Sequence, residues 1–81
     1  MSVTLEEIKT LTGITGDYQD YNIQAWMNET EAFLVDAGVK AANITAGLIA
    51  RGVLDLWNYG AGDGKFSEYF IQRAIQLSYK Q

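Results

Sequence analysis

At 81 residues the chain has room for one domain with one modest core and not for two. A composition 48% hydrophobic, 12% aromatic and 20% charged lies in the globular range, which argues against disorder, and a net charge of −4 argues against a concentrated basic face for nucleic acid. The absence of cysteine and histidine excludes a disulfide framework and a thiolate metal site, and it removes the residue most used for acid-base chemistry near neutrality.

The first predicted element covers residues 4–12. Thr4 is followed three residues later by Glu7, the spacing at which each side chain satisfies a backbone N–H of the other. Leu5, Ile8 and Leu11 supply an apolar edge, and Gly13 ends the helix. The second element covers 17–37, with Asp17 as its expected cap and Asp20 adding negative charge near its positive end. Ile23, Trp26, Met27, Thr30, Phe33, Leu34 and Ala37 fall at steps of three and four, one face of an amphipathic helix closed by Gly38.

The third element, residues 44–59, is apolar on more than one side through Ile44, Leu48, Ile49, Val53, Leu54, Leu56 and Trp57, the pattern of a central helix. Gly47 and Gly52 weaken its intrinsic helicity by about 1 kcal/mol each, which is tolerable where another helix approaches closely, so both are expected as packing sites. Three glycines in residues 60–64 then favour a loop. Ser67 opens the last element, within 66–79, with Phe66 as a staple residue and Phe70, Ala74 and Leu77, flanked by Ile71 and Ile75, as its stripe. The expected fold is an all-α bundle of four helices in a single domain over residues 1–81.

The opening residues lack a basic region followed by an apolar run, so no secretory signal is expected. No window approaches the roughly 20 apolar residues of a membrane span, since Arg51 and Asp55 interrupt the most apolar stretch. These features predict an intracellular, soluble protein with no membrane partner. Charge is uneven: residues 1–40 hold seven acids and two bases, net −5, and residues 41–81 hold three acids and four bases, net +1.

Motifs with chemical meaning are few. Gly60 to Lys65 resembles a phosphate loop only in part: the glycine spacing is one residue short, Phe66 stands where a magnesium-binding hydroxyl is needed, and a helix precedes it. Asn28-Glu29-Thr30 and Asn43-Ile44-Thr45 fit the glycosylation pattern incidentally. Glu6, Glu7, Asp17 and Asp20 are explained by helix starts rather than by a catalytic or calcium set. Trp26, Phe33, Trp57 and Phe70 lie on apolar stripes and are expected as core. Neither a catalytic residue, a metal, a cofactor nor a small-molecule substrate is expected, and the chain reads as a non-enzyme. Tyr59, Tyr69 and Tyr79, with Arg73 and Lys80, instead have the composition of a protein interface.

The order of Val3-Thr4-Leu5-Glu6-Glu7-Ile8-Lys9, an acidic turn, a long amphipathic helix, an apolar helix ending Trp57-Asn58-Tyr59-Gly60, and a final helix resembles the head-tail connector proteins of tailed double-stranded DNA phages and prophages. The resemblance extends over nearly the whole chain, although this sequence has no proline and ends soon after the last helix. It implies a virion assembly subunit, present in the host cytoplasm during assembly, that forms a ring with copies of itself on the portal protein at the DNA-exit vertex of the capsid. A stopper or tail-completion protein would be a further neighbour, and DNA would be only passing cargo. Tyr59, Gly60, Gly62, Gly64, Phe66, Tyr69, Arg73, Tyr79 and Lys80 are the expected partner contacts. The alternatives are a small intracellular helical adaptor or regulator and, behind it, a helix-turn-helix DNA binder.

Overall fold

The computed structural model describes residues 3–59 and 66–79, with the side chains of Asn58 and Tyr59 outside that description. The chain is an all-α bundle: α1 (Leu5–Thr12), α2 (Asp20–Asp36), α3 (Ala46–Tyr59) and α4 (Glu68–Ser78), with a short 3-10 turn at Ala41–Asn43 and no strand among the described residues. None of these helices is long and apolar enough to cross a membrane.

Local chemistry accounts for most of the helix ends. The Thr4 backbone N–H donates to Glu7 Oε1 at 2.9 Å, and the Glu7 N–H donates to Thr4 Oγ1 at 3.2 Å, so the expected capping box starts α1. Gly13, at φ 77°, closes α1 by donating its N–H to the Lys9 carbonyl. At the end of α2, Gly38 takes φ 92°, its N–H meets the Val35 carbonyl, and the Val39 N–H meets the Leu34 carbonyl. These paired bonds form a Schellman motif, and buried Val39 and Leu34 make its apolar contact.

The start of α2 departs from expectation. Asp17 does not cap it: the helix begins at Asp20, its cap position is Gln19, and the Gln19 side chain accepts from the Asn22 side chain at 2.8 Å rather than from a backbone N–H. Asp17 instead accepts the Asp20 N–H at its own carbonyl, in a turn that follows left-handed Gly16. The first turn is held from another helix, since Asp20 Oδ1 lies 2.8 Å from Lys9 Nζ on α1. Oδ1 is shielded from water and the contact lacks hydrogen-bond alignment, so it acts as an ion pair. Pairing with Asp20 raises the Lys9 pKa above the ordinary lysine value.

α3 packs against both α1 and α2, as its broad apolar surface requires. The buried core joins Ile8 of α1, Ile23, Met27 and Leu34 of α2, Ile49 and Val53 of α3, and Phe70, Ala74 and Leu77 of α4. Phe33, Phe66 and Phe70 form an aromatic cluster, with Phe66 stacked on Phe70 at 4.7 Å between centroids and 4.7 Å from Phe33. Phe66 precedes the Ser67 cap, and its ring contact is with Phe70, one position earlier than the usual staple partner.

Four residues expected inside lie elsewhere, one of them Ile75 of α4, which is 46% exposed. Leu11 is 55% exposed because it sits at the outer edge of α1. Gly47 has no atom within 4 Å of the place a Cβ would occupy, so only Gly52 is a packing glycine. Trp57 is 38% exposed and packs on Trp26, with centroids 5.5 Å apart, at the periphery. Trp57→Ala should therefore cost about 1–2 kcal/mol in urea melts, below the roughly 3–5 kcal/mol of a fully buried tryptophan. A cost in the core range would mean that the Trp26–Trp57 pair anchors the bundle.

Candidate functional site

Helical spacing builds the site on two walls. On α4, Tyr69, Arg73 and Leu77 recur at intervals of four and share one face. Opposite them, Thr45, Leu48 and Arg51 recur at intervals of three along the first turns of α3. Thr45 Oγ1 caps that helix by accepting the Leu48 N–H at 3.2 Å. Together with Asn43, Gly47 and Phe70 these residues line an open groove of about 300 Å³.

The groove holds both arginines of the chain, Arg51 and Arg73. Arg51 places its guanidinium carbon 5.1 Å from the centroid of the Tyr69 ring, a cation–π contact that joins the two walls. Arg73 makes one long contact within its own helix, 3.4 Å from Nη1 to Gln76 Oε1. Neither guanidinium forms an ion pair with a carboxylate among the described residues. Both are exposed on an otherwise acidic molecule, so the groove presents two forked donors and an aromatic face to an incoming group.

The position of α4 depends on Asp55, which sequence reading treats only as an interruption of an apolar run. Asp55 is buried in α3, where its Oδ2 accepts the Ser67 hydroxyl at 2.7 Å and the Ser67 N–H at 3.2 Å. Ser67 Oγ in turn accepts the Phe70 N–H at 3.2 Å. A carboxylate thus ties the cap of one helix to the body of another, with bonds to charge worth about 1.5–3 kcal/mol each. This tether joins the start of α4 to the body of α3.

A second, shallower depression adjoins the groove. Glu6, Glu7, Thr10 and Leu11 of α1 line it, together with Thr45, Ala46 and Gly47. Thr45 and Gly47 belong to both, so a basic and an acidic concavity meet at the N-terminal turn of α3.

Of the partner-contact residues expected from sequence, the structure brings Tyr69 and Arg73 together in the groove. Tyr79 is 78% exposed at the C-terminal cap of α4, beyond the groove lining. Phe66 is half-buried and packs on the core through Phe33 and Phe70. The Tyr59 side chain, Gly60, Gly62, Gly64 and Lys80 lie outside the described residues. Arg51, Asn43 and Thr45 were not foreseen, and the available signal was that an acidic chain contains only two arginines. Among the described residues no group of acidic side chains is arranged to hold a metal ion. No protein-family model matches the sequence, and no curated protein and no solved structure is significantly similar to it.

Proposed function

We propose that the chain is a structural assembly subunit, a head-tail connector protein that forms a ring with its own copies and docks on a portal protein. The observation that carries this reading is the outward face of α4 beside Arg51. There Tyr69 is 63% exposed and shares a face with Arg73, while Tyr79, 78% exposed, follows at the C-terminal end of the helix. Tyrosine and arginine are the residues most enriched where proteins meet, because they bury large contact area and offer directed donors with little loss of side-chain freedom. The order of helices, a capped α1, a long amphipathic α2, an apolar α3 and a final α4, supports the connector resemblance. A subunit with a core this small gains stability from packing in a closed ring of heterologous contacts.

The test uses purified portal from the same genome, with light scattering and negative-stain microscopy as readouts. Rings are expected on the portal, and Arg73→Glu and Tyr79→Ala should each weaken docking about tenfold or more at unchanged helicity, as loss of an interface anchor does. A chain that stays monomeric with portal present would favour a small helical adaptor, for which the same groove would receive an acidic segment of another protein.

A further inference from the structure

The basic groove and the acidic depression share Thr45 and Gly47, so one continuous surface carries both signs of charge side by side. On the acidic side, the Glu7 carboxylate is engaged by Thr4 in the capping box, while the Glu6 side chain is exposed. On the basic side, Arg51 and Arg73 have no carboxylate partner among the described residues. Leu11 adds exposed apolar surface, and Gly47 leaves open space at the junction between the two halves.

We infer that this surface is where two copies of the chain meet, related by a two-fold axis passing near Gly47. A two-fold contact places a patch against itself turned by half a circle. A patch of one sign repels itself in that arrangement, whereas one with adjoining acidic and basic halves meets its complement twice. The chain provides both halves: residues 1–40 carry net −5, and both arginines lie beyond them. At the axis Gly47 lets two α3 helices approach without a side chain between them.

The inference rests on the docking role proposed above and concerns the free chain before docking, in a two-fold contact separate from the heterologous contacts of the ring. It also has a regulatory consequence. The dimer covers Tyr69 and Arg73, the residues read as docking contacts, so a second copy and the portal compete for one face. The free chain is held as a pair, and docking separates it.

The experiment is sedimentation equilibrium of the full chain at low and high salt. At low salt the wild type should show twice the 9.0 kDa mass of the chain, with a dissociation constant that rises as salt screens the charges. Arg73→Glu and Glu6→Lys should each raise that constant by at least about tenfold, because each places like charges opposite one another twice. An equimolar mixture of the two variants should regain the dimer mass. In the mixed pair one contact keeps its native charges and the other has both reversed. Circular dichroism should show both variants fully helical. A wild type that stays at the mass of one chain at every concentration and salt overturns this surface and solution self-association together. An assembly that both variants retain, or variants whose mixture does not recover, overturns this surface and leaves the ring reading standing.

Discussion

Phe70→Ala should lower the thermal midpoint of the protein by at least about 12 °C. Phe70 is fully buried in the core to which all four helices contribute. Its ring is stacked on Phe66 and lies 6.0 Å from Phe33, and its tip reaches the backbone of α3 at Gly52. Truncating a buried phenylalanine costs about 3–5 kcal/mol, through lost transfer energy and the cavity left behind. A domain of this size has a total stability of only about 4–12 kcal/mol, and each kcal/mol is worth about 4–8 °C. Phe70→Leu, which keeps most of the bulk but loses ring contacts worth about 0.5–1.5 kcal/mol, should cost less than half as much. Circular dichroism melts of the two variants decide the matter. An unshifted Phe70→Ala would mean that α4 is held by its Asp55–Ser67 tether rather than by its aromatic stripe.

Features of the fold that depend on a few neighbouring residues were legible in the sequence. Thr4 and Glu7, Gly13, Gly38 and Ser67 mark ends whose hydrogen bonds close within six residues, so spacing alone carries the signal. The start of α2 was not legible, because it depends on a remote ion pair and on the left-handed turn at Gly16 rather than on a local cap. Trp57 shows the same limit for burial. It satisfies the apolar spacing of α3, but it comes near the end of the helix, where it packs on the ring of half-buried Trp26.

The candidate site divides in the same way. Tyr69 and Arg73 are four residues apart on one helix, and their shared face follows from the helical repeat. Arg51 and Asp55 read as interruptions of an apolar segment, yet each is directed at α4: Arg51 at the Tyr69 ring and Asp55 at the Ser67 cap. Periodicity within α3 cannot express a partner that lies on another helix beyond residues 60–65. Both charged residues of the apolar helix thus make cross-helix contacts, Asp55 while buried and Arg51 while exposed.

Gly47→Ala and Gly52→Ala should change stability in opposite directions although both place alanine in α3. On helix propensity alone each should stabilise, by up to about 1 kcal/mol. At Gly47 nothing opposes this, since the added methyl meets open space, and a small gain is expected. At Gly52 the methyl would lie 2.4 Å from Thr30 Cγ2 and 2.8 Å from Thr30 Oγ1, with the Phe70 ring tip at 3.1 Å. None of these neighbours can yield easily. Thr30 is fully buried, its hydroxyl is donated to the Trp26 carbonyl at 2.7 Å, and a β-branched side chain in a helix has few rotamers. Overpacking of this kind costs about 1–3 kcal/mol, enough to reverse the sign. Gly52→Val, with two further methyl groups, should fail to fold. The cause is separable from a general intolerance of α3. Thr30→Ser removes the methyl nearest the new Cβ and keeps the hydroxyl donor, so combining it with Gly52→Ala should recover about 1 kcal/mol relative to the sum of the single changes. Urea melts at low protein concentration and high salt give all four values free of self-association. Strict additivity, or a Gly52→Ala protein as stable as Gly47→Ala, would show that α2 and α3 are further apart at Thr30 than this packing requires.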